Sequence, residues 1–122
     1  MNVFDASALL AFLRDETGAA QVEEALLSGG ACSAAHWSEV AQQVRGRGGQ
    51  WLPARALLLS YPLDVEPVTA DDAEVAAAMW HPGSGLSLGD RLCLALAERL
   101  DVDVLTADRA WGDEGRVRQI RP

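Results

Sequence analysis

Hydrophobic and polar positions change their period repeatedly along the chain, and each change marks an element. Asn2-Val3-Phe4-Asp5 is a short apolar run closed by an acid and followed by small residues, which predicts a strand, a turn and a helix from about Ser7. Asp5 then stands at a strand's carboxyl end. From Thr17 to Leu27, Ala20, Val22, Ala25 and Leu26 recur at helical spacing, and Ser28-Gly29-Gly30 supplies glycines that suit a helix C-terminus. Ala31-Cys32-Ser33 reads as a brief strand. Ser33 can cap a helix from Ala34 to Arg45 with Trp37, Val40, Ala41 and Val44 on one face and Glu39 beside it.

Gly46-Arg47-Gly48-Gly49 is a turn, and Pro53 suits the first turn of a helix running to about Ser60. Leu63 to Val68 alternates as a strand. Thr69 opens a helix through Trp80 with Asp71 and Asp72 in its first turn, broken by His81-Pro82-Gly83-Ser84-Gly85. Ser87 to Leu100 is apolar nearly all round, which predicts a helix buried between other elements. Val102 to Thr106 predicts a strand ending just before Asp108, and Val117 to Ile120 a last edge strand. Strands alternating with helices predict one α/β domain with a mostly parallel sheet covered on both faces. In such sheets ligands gather beyond the carboxyl ends of strands, where the strand order reverses.

Composition and charge narrow the chemistry. A chain of 122 residues, 49% hydrophobic, can build one core without a disulfide or a structural metal. No run approaches the ~18 consecutive apolar residues of a membrane span, and the first residues lack the basic start of a secretion signal, so a cytoplasmic address is expected. The net charge of -8 repels phosphates at long range and excludes a nonspecific nucleic-acid coat. All 10 basic residues are arginine, which removes lysine nucleophiles, Schiff bases and phosphate-binding lysines. Cys32 and Cys93 lie far apart without CxxC spacing and read as reduced packing residues, while His36 and His81 lack metal-site spacing. Trp37 falls on a core face; Trp51, Trp80 and Trp111 border turns, where an interface can use them.

The acids that attract notice are Asp5, Glu39, Asp90 and Asp108. If the sheet brings them together, mutual repulsion and desolvation oppose their charges unless a hard divalent cation joins them, and all-oxygen donors favour Mg²⁺ or Mn²⁺. Each also has a plainer reading. Ser87-Leu88-Gly89-Asp90 resembles a capping box, a helical Glu39 can be a solvated face, and Asp108 can cap a turn. Asp113 follows Asp108 closely enough to assist it.

Four segments carry a resemblance: Val3-Phe4-Asp5-Ala6-Ser7, Ser38-Glu39-Val40, Leu86-Ser87-Leu88-Gly89-Asp90-Arg91 and Val104-Leu105-Thr106-Ala107-Asp108-Arg109. In this order they resemble the motifs of PIN-domain ribonucleases, most closely the VapC-type toxins of bacterial toxin–antitoxin pairs. The resemblance implies a three-layer α/β/α sandwich and a Mg²⁺- or Mn²⁺-dependent endoribonuclease. It implies Asp5, Glu39, Asp90 and Asp108 as catalytic acids, with Asp5, Asp90 and Asp108 as metal ligands. Asp5 and Asp90 would bind directly, Glu39 and Asp108 through water, with Glu39 alternatively deprotonating the nucleophile. Ser7 would orient Asp5. A cognate antitoxin and a homodimer or toxin–antitoxin hetero-oligomer are implied as partners. Arg14, Arg91 and Arg109, nearest the motifs in sequence, are candidate RNA contacts, and Arg45 and Arg47 candidate RNA or antitoxin contacts.

Other classes fare worse. A phosphate-receiver module would need a lysine, and a haloacid-dehalogenase-like phosphatase a second Asp where Ser7 stands. A housekeeping PIN nuclease and a catalytically silent PIN scaffold remain as alternatives.

Overall fold

The computed structural model describes residues 1–122. In chain order the elements are β1 (Asn2–Phe4), α1 (Ala6–Leu13), α2 (Ala19–Ser28), β2 (Gly30–Ser33), α3 (Ala34–Gly46), α4 (Trp51–Leu59), β3 (Leu63–Glu66), α5 (Ala70–Ala78), α6 (Leu88–Leu100), β4 (Asp103–Thr106) and β5 (Val117–Gln119), with a 3-10 turn at Arg109–Trp111. All the strands pair in parallel, in the order β3-β2-β1-β4-β5. No helix is long and apolar enough to cross a membrane.

Strand alternation sends neighbouring residues to opposite layers. Phe4, Cys32 and Leu105 join the larger core with α1, α2, Val40 of α3 and Leu58 of α4. Val3, Ala31 and Val104 join the smaller one, under Cys93, Leu96 and Ala97 of α6. The result is the α/β/α sandwich. The inner strands β2, β1 and β4 are buried on both faces, which explains why β1 and β4 read as short apolar runs, whereas the edge strands β3 and β5 are only partly buried.

The helix ends follow local hydrogen bonding. Ser33, Thr69 and Ser87 each cap the helix that follows them, and Thr69–Asp72 and Ser87–Asp90 are reciprocal capping boxes. The first helix starts one residue before the predicted Ser7, because Asp5 is its cap. Gly29 closes α2 at φ 91°, a conformation that penalises a side chain. The expectation of a helix buried all round is corrected for α6: Cys93, Ala95, Leu96 and Ala97 are buried, but Leu88 is 57% exposed. Trp37 is half-buried rather than fully in the core, with its ring edge-on to Trp51 at 5.1 Å.

The topology places a site. β1 is the central strand, the chain winds outward from it through β2 to β3, and then crosses back to lay β4 on its other side. Strand order therefore reverses between β1 and β4. Asp5 ends the first of these strands, and Asp108 follows the second by two residues.

Candidate active site

Asp5 is 2% exposed and its carboxylate is held from three directions. Oδ1 accepts the Ala8 N–H at 2.8 Å as the cap of α1, Ser7 Oγ donates to both oxygens at 2.7 and 2.9 Å, and Thr106 Oγ1 donates to Oδ2 at 2.5 Å. The same two hydroxyls reach the far side of the switch point. Ser7 Oγ accepts the Ala107 N–H at 2.8 Å, and Thr106 Oγ1 accepts the Asp108 N–H at 3.0 Å. The ends of β1 and β4 are thus locked together through the acid between them. Burial raises the Asp5 carboxyl above its ordinary range, in spite of hydrogen bonds from Thr106, Ser7 and Ala8.

Asp90 lies in the first turn of α6 and divides its oxygens between two tasks. Oδ2 accepts the Ser87 N–H at 3.2 Å in the capping box, and Oδ1 lies 3.1 Å from His36 Nε2. Partial burial works against its charge, but the hydrogen bonds from His36 and the Ser87 amide outweigh burial and hold the carboxyl below the usual range. Cap and cleft are therefore not alternatives for this residue. Asp108 caps the 3-10 turn, accepting the Ala110 N–H at 2.9 Å, and is exposed. Glu39 projects from α3 with its side chain 46% exposed and Oε2 3.7 Å from His36 Nε2.

These four acids line one cleft of about 410 Å³ together with Ser7, His36, Gln42 and Gln43. Four stretches between Asp5 and Asp108 converge there. Gly89 makes room at the rim, since a Cβ at that position would sit 2.7 Å from Glu39 Oε1. None of the chain's arginines pairs with Asp5, Glu39 or Asp90; the arginine ion pairs involve Asp72, Asp101, Asp103 and Glu16. Four carboxylates lining one cleft without an internal arginine are a donor set suited to a hard divalent ion, and the ligand atoms that lie within 4.8 Å of one another are those of His36, Glu39 and Asp90.

The sequence-level candidates around the acids disperse. Arg14 borders the site, lining an adjoining depression with Ser7 and Asp108. Arg91 is one residue beyond Asp90, about 100° round the helix, and its guanidinium donates to the Ala76 carbonyl of α5 at 3.0 Å. Arg109 and Asp113 lie outside the lining of this cleft and border a separate depression with Gly112 and Gln119. Two residues were not foreseen. His36 was set aside for want of metal-site spacing, yet its Nε2 lies within 4.8 Å of Glu39 and Asp90 oxygens. Its spacing to Glu39 on one helix was the available signal. Thr106 was passed over as a strand residue, although a hydroxyl ending an apolar strand beside an acid is unusual.

A sequence profile of the PIN domain matches residues 3–113. The chain belongs to the PIN domain family. Two solved structures share the fold of this PIN domain. A chain of a toxin–antitoxin complex from Klebsiella pneumoniae matches with a TM-score of 0.81 at 22% identity over 98% of both chains. Mycobacterium tuberculosis VapC20, a toxin that cleaves the sarcin–ricin loop, matches with a TM-score of 0.74 at 21% identity over 100% of both. No curated protein matches the sequence.

Proposed function

We propose that residues 1–122 form one PIN domain acting in the cytoplasm as a divalent-metal-dependent endoribonuclease, the toxin of a toxin–antitoxin pair. The observation that carries this reading is the shared cleft, where Asp5, Glu39, Asp90 and Asp108 meet and the buried Asp5 has no cationic partner. Oxygen donors of this kind suit Mg²⁺, with Mn²⁺ able to replace it. Asp5, Asp90 and Asp108 would hold the ion, which when bound neutralises charge on a phosphoryl group and activates water.

The chain's own residues supply the rest. Ser7 and Thr106 keep Asp5 in one orientation, so a ligand finds its oxygens already placed. Glu39, half-exposed at the rim, takes the proton released by the attacking water and returns it to solvent. Arg14 beside the cleft offers a contact to an RNA phosphate within a molecule whose net charge otherwise repels it. The shared fold with a chain of a toxin–antitoxin complex supports an antitoxin partner, and an arginine offered by that partner would satisfy the same unpaired carboxylates. A homodimer belongs to the same proposal, with exposed Trp80 and Leu88 available to bury.

The test is end-mapping of cellular RNA after induction, with an Asp5→Asn control and the purified protein assayed with and without EDTA. New RNA ends that need both Asp5 and the divalent ion are expected. Equal cleavage by the variant, or cleavage in excess chelator, overturns the reading.

A further inference from the structure

His36 is 1% exposed and is held at both ring nitrogens. Nδ1 accepts the Ala6 N–H at 3.3 Å, a donor that α1 leaves unused because Ala6 is its first residue. A neutral imidazole has one donor and one acceptor, so the Ala6 amide selects the tautomer with its proton on Nε2. That nitrogen points at Asp90 Oδ1, 3.1 Å away. Trp111 lies against the ring, centroids 6.1 Å apart and planes tilted by 35°, which restricts its rotation. Ligation of a metal by Nε2 would send the proton to Nδ1, where it would meet the Ala6 N–H head-on.

We infer that His36 is a positioning residue that holds the Asp90 carboxylate for the metal and is not itself a ligand. The inference rests on the metal-site reading above and assigns His36 a role within it. Through this ring the amide next to Asp5 is tied to the carboxylate of Asp90, so two acids 85 residues apart share one support. Donation from Nε2 also withholds nitrogen from the ion, which leaves oxygen donors alone and keeps the site suited to Mg²⁺ rather than zinc.

Two substitutions separate the two ends of the ring. In His36→Asn the side-chain carbonyl takes the place of Nδ1 and can still accept from Ala6, but the amide is too short to reach Asp90. In His36→Gln the amide N–H takes the place of Nε2 and keeps the donor to Asp90. Mn²⁺ titration of the purified full chain, followed by electron paramagnetic resonance, should find the Gln variant within about 3-fold of the parent and the Asn variant weaker by roughly 10–100-fold. Thermal melts of both confirm folding. Pulsed resonance on the Mn²⁺-loaded parent should show no directly bound histidine nitrogen, a readout that needs no variant. A bound nitrogen in the parent, or an Asn variant that binds as tightly as the parent, overturns the inference while leaving the metal site standing. A parent chain that binds no Mn²⁺ at millimolar concentration overturns both.

Discussion

Gly89 gives a way to move one acid without touching it. It is the second residue of α6, one before Asp90, and does not have a positive φ, so alanine fits its backbone. Two effects then oppose each other. Alanine stabilises a helix over glycine by roughly 0.5–1 kcal/mol, with the lower figure apt for a first turn. Against this, the new Cβ would stand 2.7 Å from Glu39 Oε1, which must retreat by about 0.7 Å to regain ordinary contact at 3.4 Å. The Glu39 side chain is 46% exposed and can swing outward, so the fold absorbs the clash while the carboxylate leaves its place. His36 Cδ2, at 3.5 Å, is already in ordinary contact and stays. A shift of about 1 Å in a reacting group costs up to ~10²-fold in rate. Gly89→Ala should therefore keep its stability or gain up to about 1 kcal/mol in urea melts, while kcat/KM for RNA cleavage falls roughly 10–100-fold, mainly in kcat. A stabilised variant as active as the parent would show that Glu39 takes no part in the chemistry. A loss of more than about 1 kcal/mol would show that the Glu39 contact supports the fold.

Two further expectations concern charge. Because burial raises the Asp5 carboxyl, the folded chain holds that proton more tightly than the unfolded one; the resulting stability is present below the ordinary value of about 3.9 and is lost as pH rises through the raised value. Asp5→Asn should remove that slope, so that without metal its stability relative to the parent in urea melts rises as pH climbs from about 4, and a difference that does not vary with pH would refute this. The Arg99 pair with Asp72, at 3.0 and 3.2 Å, belongs to the α5–α6 contact and not to the cleft. Arg99 is partly exposed but Asp72 is buried, so Arg99→Ala should cost about 1–3 kcal/mol, with RNA cleavage by the folded protein unchanged; impaired cleavage would refute the separation.

What could be read in the sequence was what local physics decides. Ser33, Thr69 and Ser87 announce helix starts because a cap bonds to an amide two or three residues away, and the structure uses all three. Short apolar runs announced the inner strands β1 and β4 because a doubly covered parallel strand is buried on both sides, while alternation announced the edge strand β3. Asp5 stood out for ending such a run. The residues that escaped notice owe their places to tertiary contacts: His36 meets Ala6 30 residues before it and Asp90 54 residues after it, and Thr106 meets Asp5 across 101 residues. Arg91 shows the converse, since adjacency to Asp90 in sequence is divergence on a helix, and its guanidinium reaches the Ala76 carbonyl of α5. The apolar composition of α6 overstated its burial because Leu88 precedes the stretch that lies on the sheet.

The arrangement of the acids also explains how the chain folds around them before any cation arrives. Asp5 caps α1, Asp90 lies in the first turn of α6 and Asp108 caps the 3-10 turn, so three of the four carboxylates meet backbone N–H donors at the starts of helical segments. At the two longer helices those donors come with the positive end of the helix dipole, equivalent to roughly half an elementary charge at each. Partial charges of that size make a cluster of carboxylates tolerable without neutralising it. Folding and metal affinity can then coexist in one set of residues, because the caps satisfy hydrogen bonds while the net negative charge remains. Asparagine caps a helix about as well as aspartate. Replacement of Asp108 by asparagine therefore withdraws the charge and leaves its one cap hydrogen bond, from the Ala110 N–H, which makes a loss of cleavage in that variant a statement about charge in the cleft and not about the fold.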